Sequence, residues 1–364
     1  MKRLMRGLSL ALALGLAACG GGDKGATLNV YNWSDYIDPA LLADFTKETG
    51  IKVVYDTFDS DDVLETKVLT GGTGYDIVTP SNAKTPRFIA AGALQPLDKS
   101  KLKNLGNLDP QIMAFMEPFD PGQKYAVPYM WGTVGIGYNA EAIAKRLPGV
   151  DMASWAVVFE PKNLEKLKDC GVYFLDSGED MMASALKYQG KDPNSTNAAD
   201  YAAAGAMLAK VRPFVRKFHS SEYIDALANG DICLAVGYSG DVLQAADRAS
   251  EAKKSFTINY VIPKEGSQVW FDVFALPKDA KHTDAAYRFL DFMLRPDVIA
   301  KASNFTQYAN ANGPARPLVD AEVRDNPNVY PTAEVFSRLF VVRSKSQELL
   351  RTVNREWSKV LTGQ

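Results

Sequence analysis

The sequence predicts an α/β protein organised as two lobes, each built on a largely parallel sheet. Three observations predict it. Residues 28–82 alternate strand, helix, strand, helix, strand, the order that forces parallel neighbours. A second alternation of the same kind occupies residues 138–254 and follows an almost uncharged run at 125–138. The chain is also long enough for two ordinary domains, with 364 residues of which 46% are apolar and 23% charged.

Residues 1–18 read as a secretory signal peptide: Lys2, Arg3 and Arg6, then an apolar stretch at 8–16, then small residues. Leu16-Ala17-Ala18-Cys19 resembles the bacterial lipobox, which makes Cys19 a lipidation site and residues 19–26, rich in glycine, a flexible tether. A soluble export signal followed by a chance cysteine is the alternative. Removing residues 1–18 leaves 38 Lys and Arg against 43 Asp and Glu, a net charge of −5. That balance speaks against nucleic acid and permits a cationic ligand. Cys170 and Cys233 are the remaining cysteines, each beside a strand-like segment, and in an exported chain they are expected to form a disulfide.

The opening strand, apolar at Leu28 and Val30, ends in Trp33, Ser34, Asp35 and Tyr36. Asp38 followed by Pro39 starts a helix that Gly50 stops, and residues 51–58 form the next strand. Ser60 caps a helix over 61–69, and the strand at 75–79 runs out at Ser81. Ligands of open α/β sheets bind beyond the carboxyl ends of the strands, so Trp33 to Tyr36 and Ser81 share one crevice. Residues 125–138 are too rich in glycine for a helix and too long for one ordinary strand; they read as two, with the chain leaving the first lobe near Thr133.

The second lobe reads as helices at 162–169, 181–188, 198–211, 220–229 and 241–252, with strands at 172–175, 214–218 and 232–238. Residues 256–262 and 269–276 then look like a strand, a turn and a strand. Asp272 sits inside the second of these among large apolar neighbours, and a buried carboxylate has to be paired or hydrogen-bonded. Helices at 284–294, 296–303 and 348–361 complete the chain. The expected division is lobe 1 at 27–133 and 255–312, and lobe 2 at 134–254 and 313–364.

Catalytic equipment is not evident. His219 and His282 are far apart and lack ligands at metal spacing, so no metal is expected. Gly237-Tyr238-Ser239-Gly240-Asp241 falls one glycine short of a nucleophile elbow, and Gly135-Ile136-Gly137-Tyr138-Asn139-Ala140 matches a dinucleotide fingerprint only loosely, inside a strand run. No cofactor and no enzymatic activity are expected.

What stands at the strand ends is carboxylates and aromatics: Trp33, Asp35, Tyr36, Tyr238, Asp241, Trp270, Asp272 and Tyr308. Aromatic faces attract ammonium groups by about 0.5–2 kcal/mol, and ammonium-to-carboxylate bonds are of the strong kind, so this set suits an organic cation.

Tyr31-Asn32-Trp33-Ser34-Asp35-Tyr36-Ile37, Lys52-Val53-Val54-Tyr55-Asp56, Pro128-Tyr129-Met130-Trp131, Gly190-Lys191-Asp192-Pro193-Asn194, Asn229-Gly230-Asp231-Ile232-Cys233, Trp270-Phe271-Asp272-Val273-Phe274-Ala275 and Tyr308-Ala309-Asn310-Ala311-Asn312 resemble the periplasmic polyamine-binding proteins. The chain is most similar to the putrescine-binding components of bacterial ABC importers, over essentially its whole mature length. The resemblance implies the type II periplasmic binding protein fold, with a ligand cleft between two α/β lobes. It implies a periplasmic, monomeric solute-binding lipoprotein that delivers putrescine, or a related polyamine, to an inner-membrane ABC permease.

It also implies roles. Trp33, Ser34, Asp35, Tyr36 and Ser81 line the pocket; Asp35 and Asp272 hold one ammonium and Asp241 the other; Tyr238, Trp270 and Tyr308 flank the methylenes. Asp180, or Glu179 beside it, stands where the family has a glutamate, and Tyr238 replaces a tryptophan. Ala83 and Ser177 occupy positions where triamine binders are larger or acidic, which favours a diamine. A spermidine-preferring binding protein and a polyamine sensor are alternatives with the same pocket, and an amine-transforming enzyme is the alternative from another class.

Overall fold

The computed structural model describes residues 26–363. The signal peptide of residues 1–18, Cys19 and all but the last residue of the 19–26 tether lie outside that range. Ten strands form the sheet: β1 (Thr27–Trp33), β2 (Lys52–Phe58), β3 (Ile77–Val78), β4 (Ala126–Asn139), β5 (Val172–Phe174), β6 (Lys217–Phe218), β7 (Leu234–Tyr238), β8 (Ile258–Val261), β9 (Val269–Ala275) and β10 (Ala309–Asn310).

β1 lies between β2 and β3, parallel to both, as the βαβαβ order requires. The connecting helices start where the sequence says. The Asp38 carboxylate accepts from Ala40 N ahead of helix Pro39–Thr49, whose C-terminus closes on Gly50 at φ +74°. Ser60 Oγ accepts from Val63 N and opens helix Asp61–Thr70. β3 is shorter than the expected 75–79. Asp76, just before it, takes the Asn29 amide with its carboxylate, so its side chain stands in for a ladder bond.

The 125–138 run is one fourteen-residue strand, not two. Its partners nevertheless change where the sequence expects a crossing. Residues 126–133 pair with β9 and residues 134–138 with β7, so β4 passes from one sheet half to the other at Thr133 and Val134. Its glycines let neighbours in: a Cβ on Gly135 would stand 2.5 Å from the Tyr260 hydroxyl, and one on Gly137 2.6 Å from Val242. That packing accounts for the glycines of the loose dinucleotide pattern.

β8 and β9 do not form a hairpin. Both run antiparallel to β4, β8 against residues 136–139 and β9 against 126–133, so the return crossing falls after Val261 and not at residue 255. The turn Gly313–Leu318 packs on helix Pro296–Thr306 of the first half, while helix Gln347–Thr362 packs on helices Gly178–Tyr188 and Ala198–Val211 of the second. The strand expected at 214–218 is a 3₁₀ turn at Arg212–Phe214 followed by the two residues of β6. Cys170 and Cys233 are bonded, with Cα atoms 5.5 Å apart, and tie the turn before β5 to the start of β7.

Candidate polyamine-binding cleft

A cavity of about 380 Å³ opens between the two lobes. Trp33, Ser34, Tyr36, Asp61, Ser81, Trp270 and Asp272 line it from the first lobe; Asp180, Tyr238 and Asp241 line it from the second. The walls are aromatic and interlocked. Trp270 packs edge-on against Tyr308 at 5.1 Å and against Tyr238 at 5.7 Å, and Tyr308 meets Tyr36 at 5.3 Å.

The carboxylates are buried and carry few positive partners. Asp272 is 5% exposed, in the middle of β9. Burial pushes its pKa well above the usual carboxylate range, the charge of Asp61 pushes it further, the Tyr36 hydroxyl opposes this, and Asp180 and Asp241 add to it. Asp61 is pushed up to about 7 by burial, against the counter-pull of Lys84 and with the added push of Glu179 and Asp180. Asp241 rises to about 6, again from burial, although both its oxygens accept phenols at 2.7 Å, Oδ1 from Tyr308 and Oδ2 from Tyr223. Asp180 is raised by burial and accepts from the Tyr238 hydroxyl at 2.9 Å.

Trp33 Nε1, Tyr36 Oη, Asp61 Oδ1, Gln268 Oε1 and Trp270 Nε1 line the cavity buried and without a partner at full hydrogen-bond geometry. Polar atoms of this kind are normally satisfied. A cavity with several raised carboxylates, aromatic walls and unpartnered polar atoms can hold a compact organic cation with more than one charge.

Residues 40–332 match the family of bacterial extracellular solute-binding proteins. The chain is 51% identical to the putrescine-binding periplasmic protein PotF of Escherichia coli (strain K12), over 99% of its own length and 97% of that protein's. It is 46% identical to the putrescine-binding periplasmic protein SpuD of Pseudomonas aeruginosa (strain UCBPP-PA14), covering 98% and 97%. The chain belongs to the bacterial extracellular solute-binding proteins. Among solved structures, the spermidine/putrescine ABC transporter substrate-binding protein PotD of Streptococcus pneumoniae superposes with a TM-score of 0.75 at 29% identity, covering 93% of this chain and 99% of that one. Two lobes, shared strands and a cleft between them make this the type II periplasmic binding fold.

Of the side chains the sequence singles out in this solute-binding protein, all but one stand at the cavity: Trp33, Ser34, Tyr36, Ser81, Asp180, Tyr238, Asp241, Trp270, Asp272 and Tyr308. Asp35 is the exception and corrects the expectation that it shares an ammonium with Asp272. Its backbone turns to φ +54°, and its carboxylate points away to Arg248 Nη2 at 2.7 Å. The acid beside Asp272 is Asp61, which the sequence disguises as an ordinary acidic first-turn residue. Its burial and its bond from Ser81 Oγ at 2.9 Å are tertiary facts.

The glycine motif at 237–241 has a packing role. A Cβ on Gly240 would lie 2.6 Å from the Tyr308 ring, and one on Gly132 2.7 Å from Trp270 and 2.9 Å from Tyr308. Tyr308 is therefore seated between two glycines, and its hydroxyl reaches Asp241 because of them. Ser239 Oγ accepts from Thr133 N at 3.3 Å, which gives it a structural role at the crossing of β4. Among the described residues no His, Cys, Asp and Glu cluster has the arrangement of a metal site.

Proposed function

We propose that this chain captures a linear diamine, putrescine, outside the cytoplasm and presents it to an inner-membrane ABC permease without transforming it. The observation that carries this reading is the set of four carboxylates around an aromatic-walled cavity, Asp180, Asp241 and Asp272 buried and Asp61 half-buried, with pKa values raised together. One ammonium belongs between Asp272 and Asp61, the other near Asp180 and Asp241, with Trp270, Tyr308 and Tyr238 along the methylenes. The names of the full-length relatives support putrescine and the periplasm. In this reading Cys19 carries the lipid anchor and the protein acts as a monomer.

Calorimetry of the mature chain with putrescine, cadaverine, spermidine and agmatine tests it. Putrescine is expected to bind one to one and most tightly. Heats of dilution alone for all four amines would remove the reading.

A further inference from the structure

Lys84 lines the same cavity, and the recognition of a diamine does not use it. Its side chain is 5% exposed, and Nζ lies 3.1 Å from Glu65, 3.4 Å from Asp62 and 3.9 Å from Glu179. Asp62 and Glu65 belong to helix Asp61–Thr70 of the first lobe, whereas Glu179 belongs to helix Gly178–Tyr188 of the second. The ammonium is thus held by both walls of the cleft. Those carboxylates, with Asp61 beside them, hold the lysine charged against the cost of burial. Arg87 shares Glu65 with it.

We propose that Lys84 is the residue that limits ligand length: its ammonium occupies the acidic ground beyond Asp61 that a third ammonium of a triamine would otherwise take. The proposal rests on the diamine reading above. The inner acids, Asp61, Asp180, Asp241 and Asp272, are left for the two charges of the ligand. The outer acids, Asp62, Glu65 and Glu179, are already answered by Lys84, with Arg87 sharing Glu65. A spermidine extended past Asp61 would bring like charge against Lys84 at short range, beside an ammonium that is itself 5% exposed, so that the repulsion is only partly screened. Selection by an unfavourable contact of this kind costs the diamine nothing.

The test is the ratio of spermidine to putrescine dissociation constants in the wild type, Lys84→Met and Lys84→Arg, by competition calorimetry. Lys84→Met leaves Asp62 and Glu179 without the lysine while Glu65 keeps Arg87, so the ratio of spermidine to putrescine dissociation constants is expected to fall at least tenfold. Lys84→Arg keeps the charge and is expected to keep the wild-type preference. If Lys84→Met does not accumulate as folded protein, Lys84→Gln, which retains a donor to the same acids, is read in the same way. An unchanged ratio, parallel weakening of both amines, or a wild type that already binds spermidine as tightly as putrescine would overturn the proposal while leaving the polyamine reading in place. A wild type that binds neither amine overturns both.

Discussion

At the scale of single residues, Asp272 is the carboxylate whose charge depends most on a ligand. The Tyr36 hydroxyl alone opposes the cost of its burial, and three other acids raise its pKa. Asp272→Asn is expected to weaken putrescine at least tenfold, because a bond to a charged group contributes roughly 1.5–3 kcal/mol, and to leave or raise the stability of the ligand-free protein. Calorimetry and thermal melting separate the two effects; unchanged affinity would remove Asp272 from the site.

The raised carboxylates also fix a pH dependence. Asp61 at about 7 and Asp241 at about 6 lie above the ordinary value of 3.8, so the folded ligand-free chain binds protons more tightly than the unfolded one. Their contribution to stability therefore rises as pH falls through 7 toward 4, and the cost of their charged burial is complete above about 7. A dication favours the charged forms, so the sign for binding is the reverse. Putrescine is expected to release protons on binding at neutral pH and to bind at least tenfold more weakly at pH 5.5 than at pH 7.5. A flat profile would mean that neither acid meets the ligand.

The residue scale is also where the sequence is partly opaque. The aromatics and Asp272 are legible because a carboxylate inside an apolar strand is costly to bury unless something charged or hydrogen-bonding meets it, and rings at strand ends supply the walls for that partner. Asp35 and Asp61 escape a linear reading for one reason: a strand end and a helix start each offer several directions to a side chain, and only tertiary packing chooses. Tyr238 donates its hydroxyl to Asp180 at 2.9 Å, a coupling that a linear reading leaves open.

At the scale of elements, alternation and caps locate most helices and the edge of each sheet half, because those signals are local. The fate of β4 is not local. A chain of fourteen mostly apolar and glycine residues reads as two strands until its partners are known, and β8 and β9 read as a hairpin until both are found on β4. Elements also carry the walls of the site. Gly240 lies in the first turn of the helix Ser239–Glu251, against the Tyr308 ring, so Gly240→Ala must push the ring or the helix aside. Overpacking of this kind costs about 1–3 kcal/mol. Since Tyr308 both walls the cavity and donates to Asp241, the variant is expected to lose at least tenfold in putrescine affinity while remaining folded at 25 °C. Wild-type affinity in folded Gly240→Ala would show that the seat of Tyr308 is not needed.

At the scale of the whole molecule the lobes meet across the cleft through polar contacts as well as through β4. Arg248, on helix Ser239–Glu251 of the second lobe, donates to Asp35 of the first at 2.7 Å and to Asp225 of its own lobe at 2.7 Å. Gln244 from the same helix adds a bond to the Asp35 carbonyl at 3.4 Å. His219 lies 3.5 Å from Asp59 on the opposite wall. Asp35 thus joins the lobes outside the cavity, an arrangement that exists only while they are together. Lobes hinged on crossing strands open and close, and a ligand touching both favours the closed form. The Asp35 and Arg248 side chains are 40% and 35% exposed, so their pair contributes about 0.2–1 kcal/mol to closure, up to roughly fivefold in the closed fraction. Arg248→Ala is therefore expected to weaken putrescine by about 1.4- to fivefold, through faster release, with the melting temperature of the ligand-free protein nearly unchanged. The same variant should need more putrescine to reach the compact scattering profile of the liganded wild type. Equal affinity and an identical scattering titration in Arg248→Ala would show that this contact carries none of the closure energy.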